Sequence, residues 1–182
     1  MIIVMAGGKS SRMGMEKPVL RIGKKPMLLW VYEAASALGE SIVALSKNTP
    51  KTRDLCLREG IRFVETPGKG YVNDVQWLLR EFGPFLSVSA DLPFVKASDI
   101  SSIAKAFDGR TGLTGVLPLE RVPKDLKPVI YGGYAIVGLN AVGTEGEGFF
   151  ELSNPLLALN VNSPEDLQLA ERMARLLGGK RI

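Results

Sequence analysis

A three-layer α/β fold, Rossmann-like and with a mostly parallel central sheet, follows from three features of this sequence. Short apolar runs alternate with helix-length segments, the pattern of strands covered by helices on both faces. The first run, Ile2–Met5, leads directly into a glycine-rich turn. The fourth, Pro84–Ala90, ends on Asp91. A glycine turn and a carboxylate then share the carboxyl edge of the sheet, where open α/β sheets gather their ligands.

The composition permits this. At 182 residues, with 46% apolar and 23% charged content, the chain suits one globular domain spanning residues 1–182. Its net charge is +4 without a run of five or six lysines or arginines, so a nucleic-acid-binding arm is not expected. No apolar stretch approaches a membrane span and no secretory leader opens the chain, which predicts a cytoplasmic protein. Cys56 is the single cysteine, expected to be a buried filler, and there is no histidine. Histidine bases, histidine-containing triads and cysteine-cluster metal sites are therefore excluded. Chemistry must run on carboxylates, cations, hydroxyls and backbone.

The elements follow in order. Ile2–Met5 reads as a buried strand, and Val19–Ile22 as a short extended piece. Pro26 opens a helix ending near Leu38 and Gly39. That helix is apolar on most sides and suggests a sheet contact and a possible homodimer. Ile42–Leu45 is the second strand, and Thr49-Pro50 caps and opens the next helix. Ile61–Val64 is the third strand, followed by a loop and a helix from Tyr71 or Asn73 to Phe82. Pro84–Ala90 is the fourth. Ser98 and Asp99 are read as caps of a helix reaching Phe107. Gly112–Leu119 and Tyr134–Val137 read as strands, residues 120–127 as a charged loop and Gly143–Gly148 as an acidic loop. Leu156–Leu159 is read as a last strand. Ser163-Pro164-Glu165-Asp166 starts the final helix, with cap, first-turn proline and two acids, and Gly178-Gly179 ends it.

The stretch from Met5 to Pro18 carries the chemistry. Gly7 and Gly8 allow backbone to approach a ligand closely, and successive N–H groups in such a turn converge on anions. Lys9, Ser10 and Ser11 add donors, Arg12 a forked donor and Lys17 a point charge. A P-loop is excluded, because Gly8-Lys9-Ser10 would need a glycine at position 3, which is Ile3. G-x-G-x-x-G is absent as well. The stretch reads as a clamp for a nucleoside triphosphate.

Other candidates flank it. Asn48 and Thr49 can contact a base or ribose, or simply form a capped helix start. Glu65 can accept from the N1–H and N2–H edge of guanine, or stand as a solvated strand-end carboxylate. Lys69, with Gly70, permits close backbone approach. Asp91 can hold Mg²⁺ between triphosphate oxygens, or close an Asx turn. Gly132-Gly133 lies near a ligand or makes a hairpin corner. Asn160 and Asn162 alternate and share one side of an extended segment.

Ala6-Gly7-Gly8, Arg12-Met13-Gly14 and Lys17, together with Asn160-Val161-Asn162-Ser163-Pro164-Glu165-Asp166-Leu167, resemble the nucleotidyltransferases related to molybdenum-cofactor guanylyltransferase. Asn48-Thr49-Pro50-Lys51-Thr52, Gly68-Lys69-Gly70-Tyr71 with Asp74, and Ser89-Ala90-Asp91-Leu92 resemble, within that superfamily, the archaeal GTP:adenosylcobinamide-phosphate guanylyltransferases. This resemblance implies a nucleotidyltransferase fold. It implies GTP and adenosylcobinamide phosphate as substrates, giving adenosylcobinamide-GDP and pyrophosphate in cobalamin biosynthesis. It also implies Mg²⁺ on Asp91, phosphate contacts from the Gly7–Gly8 loop, Arg12 and Lys17, and Gly133 on a strand flanking the nucleotide. The alternatives are transfer to a molybdopterin or sugar phosphate, or a GTP-binding module without chemistry. A phosphate monoester acceptor, its second pKa about 6, is already largely ionised near neutral pH and needs no general base.

Overall fold

The computed structural model describes residues 1–10 and 13–177. Ser11 and Arg12 of the expected clamp, and the expected stop at Gly178-Gly179, lie outside them. The strands are β1 (Ile2–Met5), β2 (Arg21–Ile22), β3 (Lys25–Pro26), β4 (Ser41–Leu45), β5 (Phe63–Glu65), β6 (Phe85–Ser89), β7 (Thr111–Pro118), β8 (Val129–Tyr131), β9 (Tyr134–Val142) and β10 (Glu145–Glu151). The α-helices are α1 (Met27–Ser36), α2 (Pro50–Arg58), α3 (Tyr71–Phe82), α4 (Ala97–Ala106) and α5 (Pro164–Leu176).

The main sheet runs β10-β7-β9-β6-β1-β4-β5, with β8 added to β9. β1 pairs in parallel with both β4 and β6, β4 with β5, and β7 with β10. Only β9 runs against its neighbours β6, β7 and β8. The fold is thus a three-layer α/β fold with a largely parallel sheet.

Period-two patterning divides the core between the two faces. Ile2 and Val4, Val43 and Leu45, and Leu86 and Val88 enter the larger cluster with Leu28, Val31 and Ala35 of α1 and Ile100 and Ile103 of α4. Ile3, Ile42, Ala44 and Phe85 point the other way, onto Leu78 of α3. Much of the apolar surface of α1 packs within the chain: Trp30 is partly buried against the core, and its indole N–H donates to the Ile22 carbonyl at 3.0 Å. Cys56 is buried, and that burial pushes its thiol up to about 11, so it stays a neutral packing group.

Several boundaries differ from expectation. The acidic loop expected at 143–148 is largely edge strand β10, paired along β7, with Glu147 accepting from the Thr114 hydroxyl at 2.9 Å. Leu156–Leu159 is no strand. Pro155–Ala158 forms a 3-10 turn, because Asn154 accepts from the Leu156 N–H at 3.1 Å and Pro155 fixes its first turn. The helix expected to be capped by Ser98 and Asp99 begins at Ala97. Asp99, now inside its first turn, reaches back to the Lys96 N–H at 2.9 Å and takes Asn154 Nδ2 at 2.8 Å.

Among the described residues, no helix is long and apolar enough to cross a membrane.

Candidate active site

The carboxyl ends of β6, β1, β4 and β5 open onto a cleft of about 430 Å³, within the usual range for small-molecule sites. Its floor is the turn after β1. Ala6 prolongs the strand ladder, its N–H donating to the Ala44 carbonyl at 2.8 Å. Gly7 is pressed against the next strand: a Cβ there would stand 3.3 Å from Ser46 Cβ. The Ser46 hydroxyl donates to the Gly7 carbonyl at 2.6 Å, tying the turn to β4. Gly8 has open space where a side chain would be. Ser10 takes a left-handed φ of 49°, a strained choice for a non-glycine residue, and its hydroxyl accepts from the Lys17 N–H at 3.1 Å.

Lys17 and Asp91 meet across the cleft. Lys17 Nζ donates to Asp91 Oδ2 at 2.6 Å and to Asn162 Oδ1 at 3.0 Å. Asp91 Oδ1 accepts from the Ser89 hydroxyl at 2.6 Å and from Asn160 Nδ2 at 3.3 Å. Asp91 therefore closes no Asx turn; its carboxylate is held by side-chain donors and faces the ligand space. Both amides of the Asn160–Asn162 segment converge on this pair. That segment is fixed in turn by α5, where Asp166 Oδ2 accepts from the N–H groups of Asn162 and Ser163, each at 2.9 Å.

Glu16 performs a task the sequence did not reveal. Its carboxylate accepts from the Lys51 N–H at 2.9 Å, the Thr52 N–H at 2.7 Å and the Thr52 hydroxyl at 2.6 Å. It caps α2 from the far side of the turn, where an anion is favoured. Thr49 stands at the expected N-cap position ahead of Pro50, but its side chain makes no capping hydrogen bond. It is fully buried, and its hydroxyl donates to the Ser46 carbonyl at 3.0 Å. Glu16→Ala is expected to lower Tm by about 2–4 °C, as loss of a cap does, and to raise the KM for nucleotide several-fold by loosening Lys17. Thermal melts and steady-state kinetics check both.

The remaining candidates divide. Lys9, Asn48, Lys69 and Gly70 line the cleft. Glu65 does not: it is half exposed and pairs with Arg53 at 3.2 Å, the solvated alternative. Gly133 sits in the β8–β9 hairpin corner with φ of 83°, not in a strand beside the site. The strand glycine that the site requires is Gly138. A Cβ there would lie 2.6 Å from Ser89 Cβ and 3.4 Å from Asn160 Nδ2. Nothing in the sequence singled out Gly138, since its role depends on β9 running antiparallel beside β6. Ser89 was legible in principle, two residues before Asp91.

Among the described residues, no group of three or more histidine, cysteine, aspartate or glutamate side chains gathers to hold a metal. A lone carboxylate still fits magnesium, which takes one or two carboxylates and fills its shell with phosphate oxygens and water. Asp91 already accommodates the Lys17 ammonium, so its pocket accepts a cation.

The molybdenum cofactor guanylyltransferase of Cereibacter sphaeroides is 27% identical, over 95% of this chain and 96% of its own. A probable molybdenum cofactor guanylyltransferase from Thermococcus sibiricus is 29% identical over 109 residues, which span 58% of this chain and about half (54%) of that protein. The structure of molybdopterin-guanine dinucleotide biosynthesis protein A from Archaeoglobus fulgidus has a TM-score of 0.70 over 96% of this chain and 98% of its own, at 18% identity. These relatives overturn the adenosylcobinamide-phosphate assignment, with its acceptor and its cobalamin pathway. Residues of the motifs behind that assignment, Asn48, Gly68–Tyr71, Asp74 and Ser89–Asp91, line the same cleft as the glycine turn and single out no acceptor. A family model, the MobA-like NTP transferase domain, matches residues 2–147, and the chain belongs to that family.

Proposed function

We propose that this protein is a nucleotidyltransferase that moves GMP from GTP to the terminal phosphate of a molybdopterin-type acceptor. The observation that carries the reading is the Lys17–Asp91 pair, 2.6 Å apart at the cleft formed by the glycine turn. The name of the relative matched over nearly its whole length supports guanylyl transfer to a molybdenum-cofactor precursor.

The chain's own residues supply position and charge. The N–H groups of the turn and the ammonium groups of Lys9 and Lys17 neutralise the triphosphate. Lys69 stands on the opposite wall. When bound, Mg²⁺ would be held by Asp91 and would further neutralise the phosphates. The acceptor phosphate oxygen forms a bond to the α-phosphorus as the bond to the β-phosphate oxygen breaks, and pyrophosphate leaves. The acceptor is already an anion, so the site needs to align it and requires no base. Ser89 and Asn160 hold the Asp91 carboxylate, and Asn162 guides the Lys17 ammonium toward it.

The test is pyrophosphate release from GTP and Mg²⁺ with molybdopterin, alongside sugar phosphates. Release with molybdopterin alone is the expected result. Release only with a sugar phosphate would reassign the acceptor, and release with none would refute transfer chemistry.

A further inference from the structure

The nucleotidyl-transfer reading leaves open what selects the base, and the inference here rests on that reading. The strand order β6-β1-β4-β5 sets the long direction of the cleft. Lys17 and Asp91 occupy its β6–β1 end, where the phosphates bind. The base must then lie toward the loops after β4 and β5, which bring Asn48, Thr66, Gly68 and Asp74.

Hydrogen-bond accounting decides what this end offers. The Thr66 hydroxyl donates to the Leu45 carbonyl at 2.9 Å and is committed. The Ser46 hydroxyl spends its proton on the Gly7 carbonyl, so it can only accept from the Asn48 N–H and from Asn48 Nδ2, each at 3.2 Å. That fixes the Asn48 amide with Nδ2 toward Ser46 and Oδ1 turned away. Asp74 is only 6% exposed. Its Oδ1 accepts from the Gly68 N–H at 2.9 Å and the Lys69 N–H at 3.3 Å. Among the described residues no donor reaches Oδ2, and no buried side-chain oxygen lacks a partner, so Oδ2 opens to the cleft that Asp74 lines. Gly68 joins the two groups, since its N–H binds Asp74 and its missing Cβ would stand 3.5 Å from Asn48 Nδ2.

Beside the Lys69 and Tyr71 side chains, the base end of the cleft therefore presents two fixed acceptors, Asn48 Oδ1 and Asp74 Oδ2. Guanine answers with adjacent donors, N1–H and the 2-amino group. Adenine offers an acceptor, N1, beside its amino group, and cytosine offers N3 beside its own. We propose that Asp74 is the specificity residue of this site, its free carboxylate oxygen accepting from the Watson–Crick edge of guanine. Glu65, the carboxylate the sequence offered for that task, faces Arg53 instead.

Asp74→Asn separates reading the base from bracing the loop. The Gly68 and Lys69 N–H groups still need an acceptor, so the asparagine oxygen stays on them and its NH₂ turns to the cleft. A donor now meets the guanine donors, whereas xanthine carries a carbonyl in place of the 2-amino group. Calorimetry with Mg²⁺ and GTP, ITP, XTP and ATP reads the result. The wild-type protein should bind GTP about tenfold more tightly than ITP, which lacks the 2-amino group, and more tightly than XTP or ATP. Asp74→Asn should weaken GTP by about 30-fold or more and prefer XTP to GTP. Equal wild-type binding of GTP and ITP overturns the assignment, whatever the variant does. A variant that weakens every nucleotide equally overturns it too, leaving Asp74 a loop brace only. If the wild-type protein binds none of the four, the nucleotidyl-transfer reading itself fails, an outcome distinct from either.

Discussion

Asp91→Asn is expected to lower kcat for pyrophosphate release by about 10²–10³-fold, the scale on which a fixed electrostatic group contributes to a transition state. Asparagine retains an oxygen for the Ser89 hydroxyl, so the substitution removes charge and little packing. Lys17 keeps Asn162 Oδ1 as a partner, and both side chains of the pair keep some solvent contact, at 17% and 13% exposure. Tm should therefore move by only a few degrees. Kinetics at saturating nucleotide, with a thermal melt of the same sample, separate the two effects. A variant that retains wild-type kcat and its dependence on Mg²⁺ would remove the carboxylate from the reaction.

The reason Asp91 could be found without coordinates is topological. A buried strand, Phe85-Leu86-Ser87-Val88-Ser89, followed by a carboxylate and Leu-Pro, usually ends at the edge where open α/β sheets gather their ligands, and Asp91 does line the cleft there. The glycine turn after Ile2–Met5 was legible for the same reason, and the alternation of Asn160 and Asn162 placed both amides on one side. What stayed hidden depends on contacts between distant segments. Glu16 looks like one more charged loop residue until it is seen to cap α2, 35 and 36 residues away. Thr49 stands at the N-cap of α2 as expected, yet its hydroxyl serves the Ser46 carbonyl and no helix N–H. Residues 145–151 carry glycines and glutamates that suit a loop, but pairing with β7 makes them an edge strand. The apolar run Leu156–Leu159 fits a strand or a turn equally well by composition, and Asn154 and Pro155 decide for the turn. The acceptor was misread for a further reason: it was taken from the segments around Asn48, Gly68–Tyr71 and Ser89–Asp91, which line the same cleft as the glycine turn and carry no chemistry particular to one acceptor.

Gly138→Val should damage both stability and turnover, because the position has no room and its neighbours hold Asp91. The ladder that pairs Val88 with Leu139 brings Ser89 beside Gly138, where even a Cβ would stand 2.6 Å from Ser89 Cβ. Ser89 Cβ is bound directly to the strand backbone and cannot rotate away, so β6 and β9 must part locally. Overpacking of this kind costs about 1–3 kcal/mol, or roughly 3–10 °C in Tm for a chain of this size. The strands can separate only by moving the Ser89 hydroxyl away from Asp91 Oδ1 and disturbing Asn160, whose amide nitrogen lies 3.4 Å from the added atom. A loss in kcat of about tenfold or more should therefore accompany the fall in Tm, since small misplacements of a positioned group cost orders of magnitude. Adding Ser89→Gly to Gly138→Val removes the Cβ that is struck. The double variant should regain most of the lost Tm while turnover stays low, because the hydroxyl that orients Asp91 has gone. Recovery of both together would show that Ser89 contributes nothing beyond its bulk, and a wild-type Tm in Gly138→Val alone would show that the strands yield at no cost.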